Sequence, residues 1–511
     1  MKYLIATFSL LFGGSVIAQN SSDALQFSRN DISGSARYIA MGGSFGALGG
    51  EISGISVNPG GIGVYRNSEF TLTTGFNNYS SSSSYRGSTR TDGRFNMNLP
   101  SFGYVGNYRG NADTWKTYSF GLIHNRINHF SAEQRAFGDS KSSTFVDDYV
   151  NRLNSDGASA AQAGSYNNYP FGAAQAWNTV LIDTLTNPNT GLVEFIPYVF
   201  LFQIADSTIT GRESRTVDNI AQSRILDTRG NQAETQFVFG GNYQDRLYLG
   251  ASISFQTVNF EKEVSCREDY TYGPKATAQD SNLIASYQED TRLETSGRGV
   301  NLKVGGIYRI SDALRIGLSI QTPTIMNFDE VFYIDAKSEF ADGFEVRADS
   351  VTATFGYRLR TPARVNASIA YIFLQKAAIN VEYEFVDYST AFFNDRNKFS
   401  NDYSPQNDEI ETLLVSAHNV RVGAEYKFNP FVLRAGYNYQ GNPYNDKLTI
   451  ADESRNTYSF GGGFRNNNFN FDVGINWREM NRNENFYNST DAVATIEEKE
   501  TNVVFTVGWR W

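Results

Sequence analysis

Residues 502–511 read Asn502-Val503-Val504-Phe505-Thr506-Val507-Gly508-Trp509-Arg510-Trp511, so that Val503, Phe505, Val507, Trp509 and Trp511 alternate with Asn502, Thr506, Gly508 and Arg510. A period of two places the first set on one face of a strand and the second on the other. The pattern repeats upstream. Phe469, Phe471, Val473, Ile475 and Trp477 alternate with Asn470, Asp472, Gly474 and Asn476. Val420, Val422, Ala424, Tyr426 and Phe428 alternate with Arg421, Gly423, Glu425 and Lys427, and Ile379, Val381, Tyr383 and Phe385 with Asn380, Glu382 and Glu384. Strands of a soluble sandwich need a second apolar layer against their apolar face. Here that face is rich in Phe, Tyr and Trp while the other carries charge, which suits a wall with lipid outside and a polar lumen inside. Backbone groups in hydrocarbon are all satisfied only if such a wall closes.

Working outward from these segments, the spacing predicts fourteen strands: 69–79, 99–109, 116–127, 232–244, 246–263, 296–310, 313–328, 352–373, 377–390, 417–428, 431–441, 456–466, 468–481 and 500–511. The connections alternate. Those at 110–115, 245, 311–312, 374–376, 429–430 and 467 are short, and those at 80–98, 128–231, 264–295, 329–351, 391–416, 442–455 and 482–499 are long. Short turns on one side and long loops on the other are the signature of an all-β, transmembrane antiparallel barrel spanning 69–511.

Composition agrees. The 511 residues include 38 Phe, 30 Tyr and 5 Trp but only 11 Pro, 3 His and 1 Cys, a mix that favours strands. With 44 basic and 54 acidic residues and no block of like charge, no nucleic-acid footprint is present. The single Cys266 cannot form an internal disulfide, and the scarcity of Cys and His leaves no zinc site. A mean hydropathy of −0.40 excludes a polytopic helical membrane protein. The start of the chain reads as an export signal over residues 1–18: Lys2 in a short basic region, an apolar run from Leu4 to Ile17, and cleavage expected after Ala18. Gln19 follows, so no lipid-anchored cysteine is expected.

Residues 19–68 neither alternate nor suit a helix, being dense in glycine from Met41 to Gly50 and again through Asn58-Pro59-Gly60-Gly61-Ile62-Gly63. The lumen of a fourteen-stranded barrel is wide enough to take them as a plug. Here the sequence resembles the FadL-type long-chain fatty acid and hydrocarbon transporters of Gram-negative outer membranes. The resemblance starts at Leu25-Gln26-Phe27 and Ser33-Gly34-Ser35-Ala36-Arg37 and continues to Asn58-Pro59-Gly60, where the family hatch usually carries Asn-Pro-Ala. It returns at Thr361-Pro362-Ala363-Arg364, Val386-Asp387-Tyr388-Ser389 and Leu433-Arg434-Ala435-Gly436-Tyr437. What it implies is a monomeric barrel closed by a hatch at residues 19–68, with Asn58, Pro59 and Gly60 as gating residues. It further implies passive uptake of a hydrophobic molecule, and a sideways exit into the membrane beside a kink in the third strand. Gly121 is the residue of that strand best able to accept a kink. Trp511 resembles the aromatic end read by the barrel-assembly machinery.

The connection 128–231 is too long for a bare link. Phe145, Val146, Tyr149, Val150 and Leu153 fall at helical spacing, and a second helix is expected from Pro170 with Phe171, Ala174, Trp177 and Leu181 on one side, followed by the apolar run 196–202. Phe171, Trp177, Phe200 and Phe202 are candidate ligand contacts. The same pattern also describes a lid packed on itself. Enzyme signatures do not assemble. Gly42-Gly43-Ser44-Phe45-Gly46 matches a nucleophile elbow in letters but lacks the strand before and helix after. His124 and His129 are spaced for neither strand nor helix to share a metal. Asp395, Asp402 and Asp408 lack calcium-loop spacing. Lumen-facing Glu382, Glu384, Arg421, Glu425, Lys427 and Arg434 are expected to pair and hold the hatch. The expected protein is therefore not an enzyme and needs no cofactor or metal. Its partners would be a hydrophobic small molecule and outer-membrane lipids; a diffusion porin or a surface adhesion barrel is the alternative.

Overall fold

The computed structural model describes residues 19–110, 114–169, 171–186, 191–200, 217–273, 282–396, 402–445, 452–487 and 493–511. Fourteen antiparallel strands form one closed barrel. They are β1 (Glu69–Tyr85), β2 (Ser88–Arg109), β3 (Trp115–His129), β4 (Val217–Tyr243), β5 (Leu247–Tyr272), β6 (Ile284–Arg309) and β7 (Leu314–Gln321, resuming as Ile325–Phe340). There follow β8 (Val351–Arg360, resuming as Arg364–Phe373), β9 (Ala377–Asp387), β10 (Ser416–Phe428), β11 (Phe431–Gln440), β12 (Arg455–Arg465), β13 (Phe469–Asn485) and β14 (Val493–Arg510). Each pairs with the next, and β14 returns to β1 with Arg510 opposite Glu69 and Thr495 opposite Ser84. The breaks in β7 and β8 lie side by side, because Pro323 and Pro362 have no N–H to give. There Thr324 N–H donates to Thr361 Oγ1 and Thr361 N–H to the Thr324 carbonyl, both at 3.0 Å.

The alternation sorts as its periodicity requires. Tyr426, Leu433, Phe460 and Ile475 are exposed on the outside, while Arg421, Glu425, Arg434 and Asp472 are buried in the lumen. No helix among the described residues is long and apolar enough to cross a membrane. At one end the connections are tight. Gln244-Asp245 and Leu374-Gln375 are two-residue turns with φ of 52° and 58°, and of 45° and 59°, the left-handed pair that matches the twist of a hairpin. At the other end the strands outrun their expected limits. The expected loops 80–98, 264–295 and 482–499 are largely continued ribbon: β1 and β2 run on to a turn at Arg86-Gly87, and β4 and β5 are 27 and 26 residues long. Beyond the membrane a ribbon has no lipid face to keep apolar, so its sequence loses the alternation while its ladder continues.

The connection 128–231 shrinks likewise, since Ala132–Ser140 pairs with β4 from Ala132 opposite Thr228. Within it lie the expected helix at Asp147–Ser155 and a shorter one at Ala173–Asn178. Val146, Val150, Leu153, Ala174, Leu181 and Phe195 form one buried body that also covers Tyr270, Ile284 and Tyr287 on β5 and β6.

Candidate functional site: a filled lumen and a split wall

The N-terminal segment carries two short helices, α1 (Ser21–Ser28) and α2 (Ala36–Ala40). Asn20 caps α1 by accepting from Asp23 N–H while the Asp23 carboxylate accepts from Asn20 N–H, both at 3.0 Å. Ser35 caps α2 through Tyr38 N–H. Two 3₁₀ turns follow, Ser53–Ser56 and Pro59–Val64. Asn58 organises the second: its Oδ1 accepts from Gly60 N–H at 3.0 Å, and its Nδ2 donates to the carbonyls of Gly46 at 2.7 Å and Gly306 at 3.1 Å.

From α2 onward this segment is seated backbone to backbone on inward glycines of the wall. A Cβ on Gly423 would lie 2.5 Å from the Met41 carbonyl, one on Gly474 2.5 Å from that of Ala36, and one on Gly461 2.5 Å from Ala40 Cβ. Gly250, Gly305, Gly317 and Gly436 are closer still to Pro59, Asn58, Gly46 and Gly42. These positions read in the sequence as the polar phase of each strand. Their common property is the absence of a side chain where another chain approaches. Gly60 has the same explanation from the other side, since a Cβ there would be 2.7 Å from Gly306 Cα. The departure from Asn-Pro-Ala is therefore a matter of clearance.

Ion pairs complete the seat. Arg37 meets Glu425 at 2.9 Å, Glu425 meets Arg434 at 2.8 Å, and Arg434 meets Asp472 at 2.7 Å. Arg421 pairs with Glu382 at 2.6 Å, whose other oxygen accepts from Gly46 N–H, and with Glu384 at 3.3 Å. Lys427 lies 3.6 Å from Glu425. The six charged lumen residues of the sequence reading are thus engaged in ion pairs and tie down the segment; Glu425 and Lys427 line a cavity of about 320 Å³ with Arg37 and Arg465, but the six do not converge on one pocket. Ser44 bonds to Asn380, with its Oγ donating to the carbonyl and accepting from Nδ2. His124 bonds to Thr235, and His129 accepts from Ser131 N–H. Asp402 caps Ser404, and no three His, Cys, Asp or Glu residues among those described are grouped to hold a metal.

Above α2 the packing changes character. Leu25 and Phe27 of α1 enter an aromatic chamber inside the barrel, with Phe27 4.7 Å from Phe328, 6.0 Å from Phe130 and 6.1 Å from Phe260, ring centre to ring centre. Tyr357, Phe393, Tyr403 and Ile410 belong to the same cluster, the last two delivered by the loop that holds helix α3 (Ser404–Leu413). The sequence reading missed this chamber. Its signal is a change of phase: in β5 the apolar residues face outward up to Phe255 and inward from Val258 and Phe260, and in β7 outward up to Ile325 and inward from Met326 and Phe328.

The wall is split beside the chamber. The β2–β3 ladder ends at Ser101 opposite Asn125, so Ser88–Asn98 pairs with β1 alone and Arg126–His129 with β4 alone. Both edges are irregular there, with a register shift at Leu99-Pro100 in β2 and another at Ile127 in β3. Contact resumes higher, where Ser81 Oγ donates to the Glu133 carbonyl and Arg135 N–H to Asp92. The N-terminal segment is tied to this place: Asp31 N–H donates to the Ile127 carbonyl at 2.8 Å, and Asn128 Nδ2 to the Arg29 carbonyl at 2.7 Å. Asp31, Pro100, Arg126 and His129 line a cavity of about 30 Å³, room for about one water and no ligand. The irregularity of β3 is therefore not at Gly121. The ladder runs unbroken through Gly121 on both sides, opposite Val105 and Val238, and its inner side meets Ile62.

The loop residues sit elsewhere. Phe171 packs edge-on against Phe332 at 4.9 Å and Trp177 against Phe195 at 5.6 Å, and Phe200 lies against the same apolar body. Phe171 thus packs on the wall strand β7, and Trp177 and Phe200 on the loop's own apolar body. Phe202, the export signal 1–18 and Pro170 lie outside the described residues.

A closed barrel with an aromatic lipid face, a polar inner face and its own N-terminal segment in the lumen is an outer-membrane transport barrel. The chain belongs to the outer membrane protein transport protein family (OMPP1/FadL/TodX), whose family model matches residues 242–508. Among solved structures it is similar to the toluene transporter TodX of Pseudomonas putida, at 12% identity over 94% of this chain and 99% of that one, with a TM-score of 0.52. It is also similar to a Pseudomonas aeruginosa FadL homologue, at 10% identity over 94% and 99%, with a TM-score of 0.52. At these identities the likeness is one of fold. No curated protein sequence matches the chain. Members of the family are transporters and not enzymes, and the protein is placed with them in the Gram-negative outer membrane.

Proposed function

We propose that the protein takes up hydrophobic small molecules, long-chain fatty acid or hydrocarbon in kind, without energy input. The observation that carries this reading is that an apolar helix face fills an aromatic chamber next to a split in the wall. Burial of apolar surface is non-directional, worth about 25 cal/mol per Å², so a greasy solute can replace Leu25 and Phe27 in the chamber. Displacement of α1 pulls on Arg29 and Asp31, the residues bonded to Asn128 and Ile127 at the split. The solute then leaves sideways between β2 and β3 into the membrane. Residues 19–68 serve as the hatch, with Asn58, Pro59 and Gly60 as its fixed foot rather than its moving part. The lid at 128–231 covers the entrance, and Phe171, Trp177 and Phe200 hold its shape. Export with cleavage after Ala18, insertion by the barrel-assembly machinery through Trp511, and action as a monomer without a cofactor belong to the same reading. The exposed Trp511 ring supports the second of these.

The test uses cysteines at Asn98 and Arg126 in a Cys266→Ser background, bridged by a bifunctional thiol reagent. Bridging should stop uptake of a radiolabelled long-chain fatty acid into cells while leaving its binding to the purified protein intact. Uptake unchanged by bridging would remove the sideways route. Loss of binding as well would place the ligand in the split and not in the chamber.

A further inference from the structure

The phase change that opens the chamber has a counterpart on the outside. One transverse row across the outer wall runs Thr257, Arg298, Asn327, Arg358 and Asn394, each opposite the next on neighbouring strands. The row beneath it holds Phe255, Val300 and Ile325, exposed and apolar, and then Arg360, whose guanidinium lies over the Phe392 ring. Polar and charged residues therefore begin at the upper edge of the lipid belt, one row lower on β8 than on β5–β7, on the side away from the short turns, which is the outer leaflet. Arg298, Arg358 and Arg396 line a concavity of about 710 Å³ with Asp329, three guanidinium groups against one carboxylate. Arg396 pairs with Asp329, and Arg358 Nε donates to Asn327 at 3.1 Å. Arg298 has no carboxylate partner among the described residues. Arg292, further out on the same strand, contrasts with it: Glu261, Glu263 and Glu294 surround it at 2.9, 3.7 and 2.7 Å.

Below the row the wall is hollowed from β3 to β7, a stretch that shares β5, β6 and β7 with the row. Leu249, Gly250, Val304, Gly305, Ile316 and Ile320 line an apolar concavity of about 760 Å³ on the lipid face, its floor set back by the glycines that seat the N-terminal segment within. From Arg298 to Val304 is roughly 20 Å along the strand at about 3.3 Å per residue. At a tilt of about 45° this is about 14 Å of depth, near half the apolar band.

We propose that the outer face of β5–β8 is a binding site for one phosphorylated lipid of the outer leaflet, its phosphate on Arg298, Arg358 and Arg396 and its acyl chains running down to the glycine-floored concavity. Guanidinium forks match phosphoryl oxygens in geometry and charge, and a basic cluster at the head-group level is the sequence-independent means of holding an anionic lipid. Asn327 stands between two of the arginines as a neutral donor.

The experiment is native mass spectrometry of the full-length protein taken from its own outer membrane in mild detergent. The unmodified barrel should keep about one phosphorylated lipid. Each guanidinium removed should weaken retention about fivefold, so Arg298→Gln with Arg358→Gln should strip it. Arg298→Lys with Arg358→Lys should retain part of it, and Arg292→Ala should retain all. The heat-dependent gel shift of a closed barrel reports folding of each variant; were the double variant to lose it, the two single substitutions make the same comparison. Equal retention by the Gln variants, or no retained lipid in the unmodified protein, overturns the proposal. So does millimolar inorganic phosphate binding to the delipidated protein while added outer-leaflet lipid does not, which would make this a free-phosphate site.

Discussion

The two parts of the N-terminal segment are held by different means. Both carry ion pairs to the wall, Arg37 with Glu425 in one and Arg29 with Glu453 and Asp31 with Arg455 and Arg478 in the other. Residues 36–64 also lie with their backbone pressed on wall glycines, whereas residues 20–32 have their apolar side chains in an aromatic chamber and are bonded at the split. Backbone contact at this range is a matter of shape that no solute can reproduce. Apolar burial is open to any molecule of the right size. On the proposed function one chain thus carries a permanent part and an exchangeable part, and only the second would respond to a ligand.

Substituting the seat should have the largest effect. Gly436→Val forces a side chain into the backbone of Gly42 and should cost more than about 3 kcal/mol, seen as a lowered urea midpoint or a barrel that no longer assembles. Gly462→Ala, where a Cβ meets nothing nearer than 3.6 Å, should stay within about 0.5 kcal/mol of the unmodified protein. If the two behave alike, the seat is not what holds the segment. Phe27→Ala removes the central ring of the chamber plug. It should weaken docking of α1 by about 3 kcal/mol, read as faster hydrogen exchange over residues 21–28. Because ligand and helix compete for one space, it should also tighten binding of an apolar solute at least tenfold. Tighter docking or weaker binding would break the distinction between the two parts.

Gly60→Ala, which restores the residue usual at this point of the hatch motif, should cost about 1–3 kcal/mol here because Gly306 leaves it no room. Paired with Gly306 it sharpens the picture of a fixed foot: uptake should fall only as far as folding falls. The smallest effect is that of pH. Burial, with Glu330 and Glu409 nearby, raises the Asp23 carboxyl from the ordinary carboxylate range to about 7. The docked segment therefore keeps a proton that the undocked one has lost. Docking is strongest in acid and weakens as pH rises through 7. Protection of α1 from hydrogen exchange, taken relative to the intrinsic exchange rate at each pH, should fall on that rise, and Asp23→Asn should remove the fall; protection that grows as pH rises would reverse the assignment.

Much of this was legible in the sequence. The strand count, the sidedness of β9–β14 and the short turns follow from alternation, because lipid outside and charge inside leave a period of two that few other folds share. The pairing of Glu382 with Arg421 and of Glu425 with Arg434 was readable for the same reason. What escaped had three physical causes. The outer ribbons lost their alternation where they lost their lipid. The split depends on which residues of two strands fail to meet, and a single strand cannot show that, although Pro100, unable to donate, marks its edge. Gly121 looked pliable in isolation, yet both its neighbours hold it in register. The chamber was written in the sequence as a change of phase at Val258 and Met326, a signal visible only if alternation is followed past the end of the membrane.

The border between the permanent and exchangeable parts falls beside Gly34, whose φ of 145° is a conformation that residues with side chains seldom adopt, and where a Cβ would lie 2.5 Å from Ser53 Oγ. A plug keyed to glycines on so many strands has no freedom of travel along the barrel axis: a shift of one residue in any direction drives a backbone into a side chain. On the proposed function the stroke would therefore be short and local: a swing of residues 19–33 about a pivot at Gly34, with the barrel and the foot of the hatch standing still.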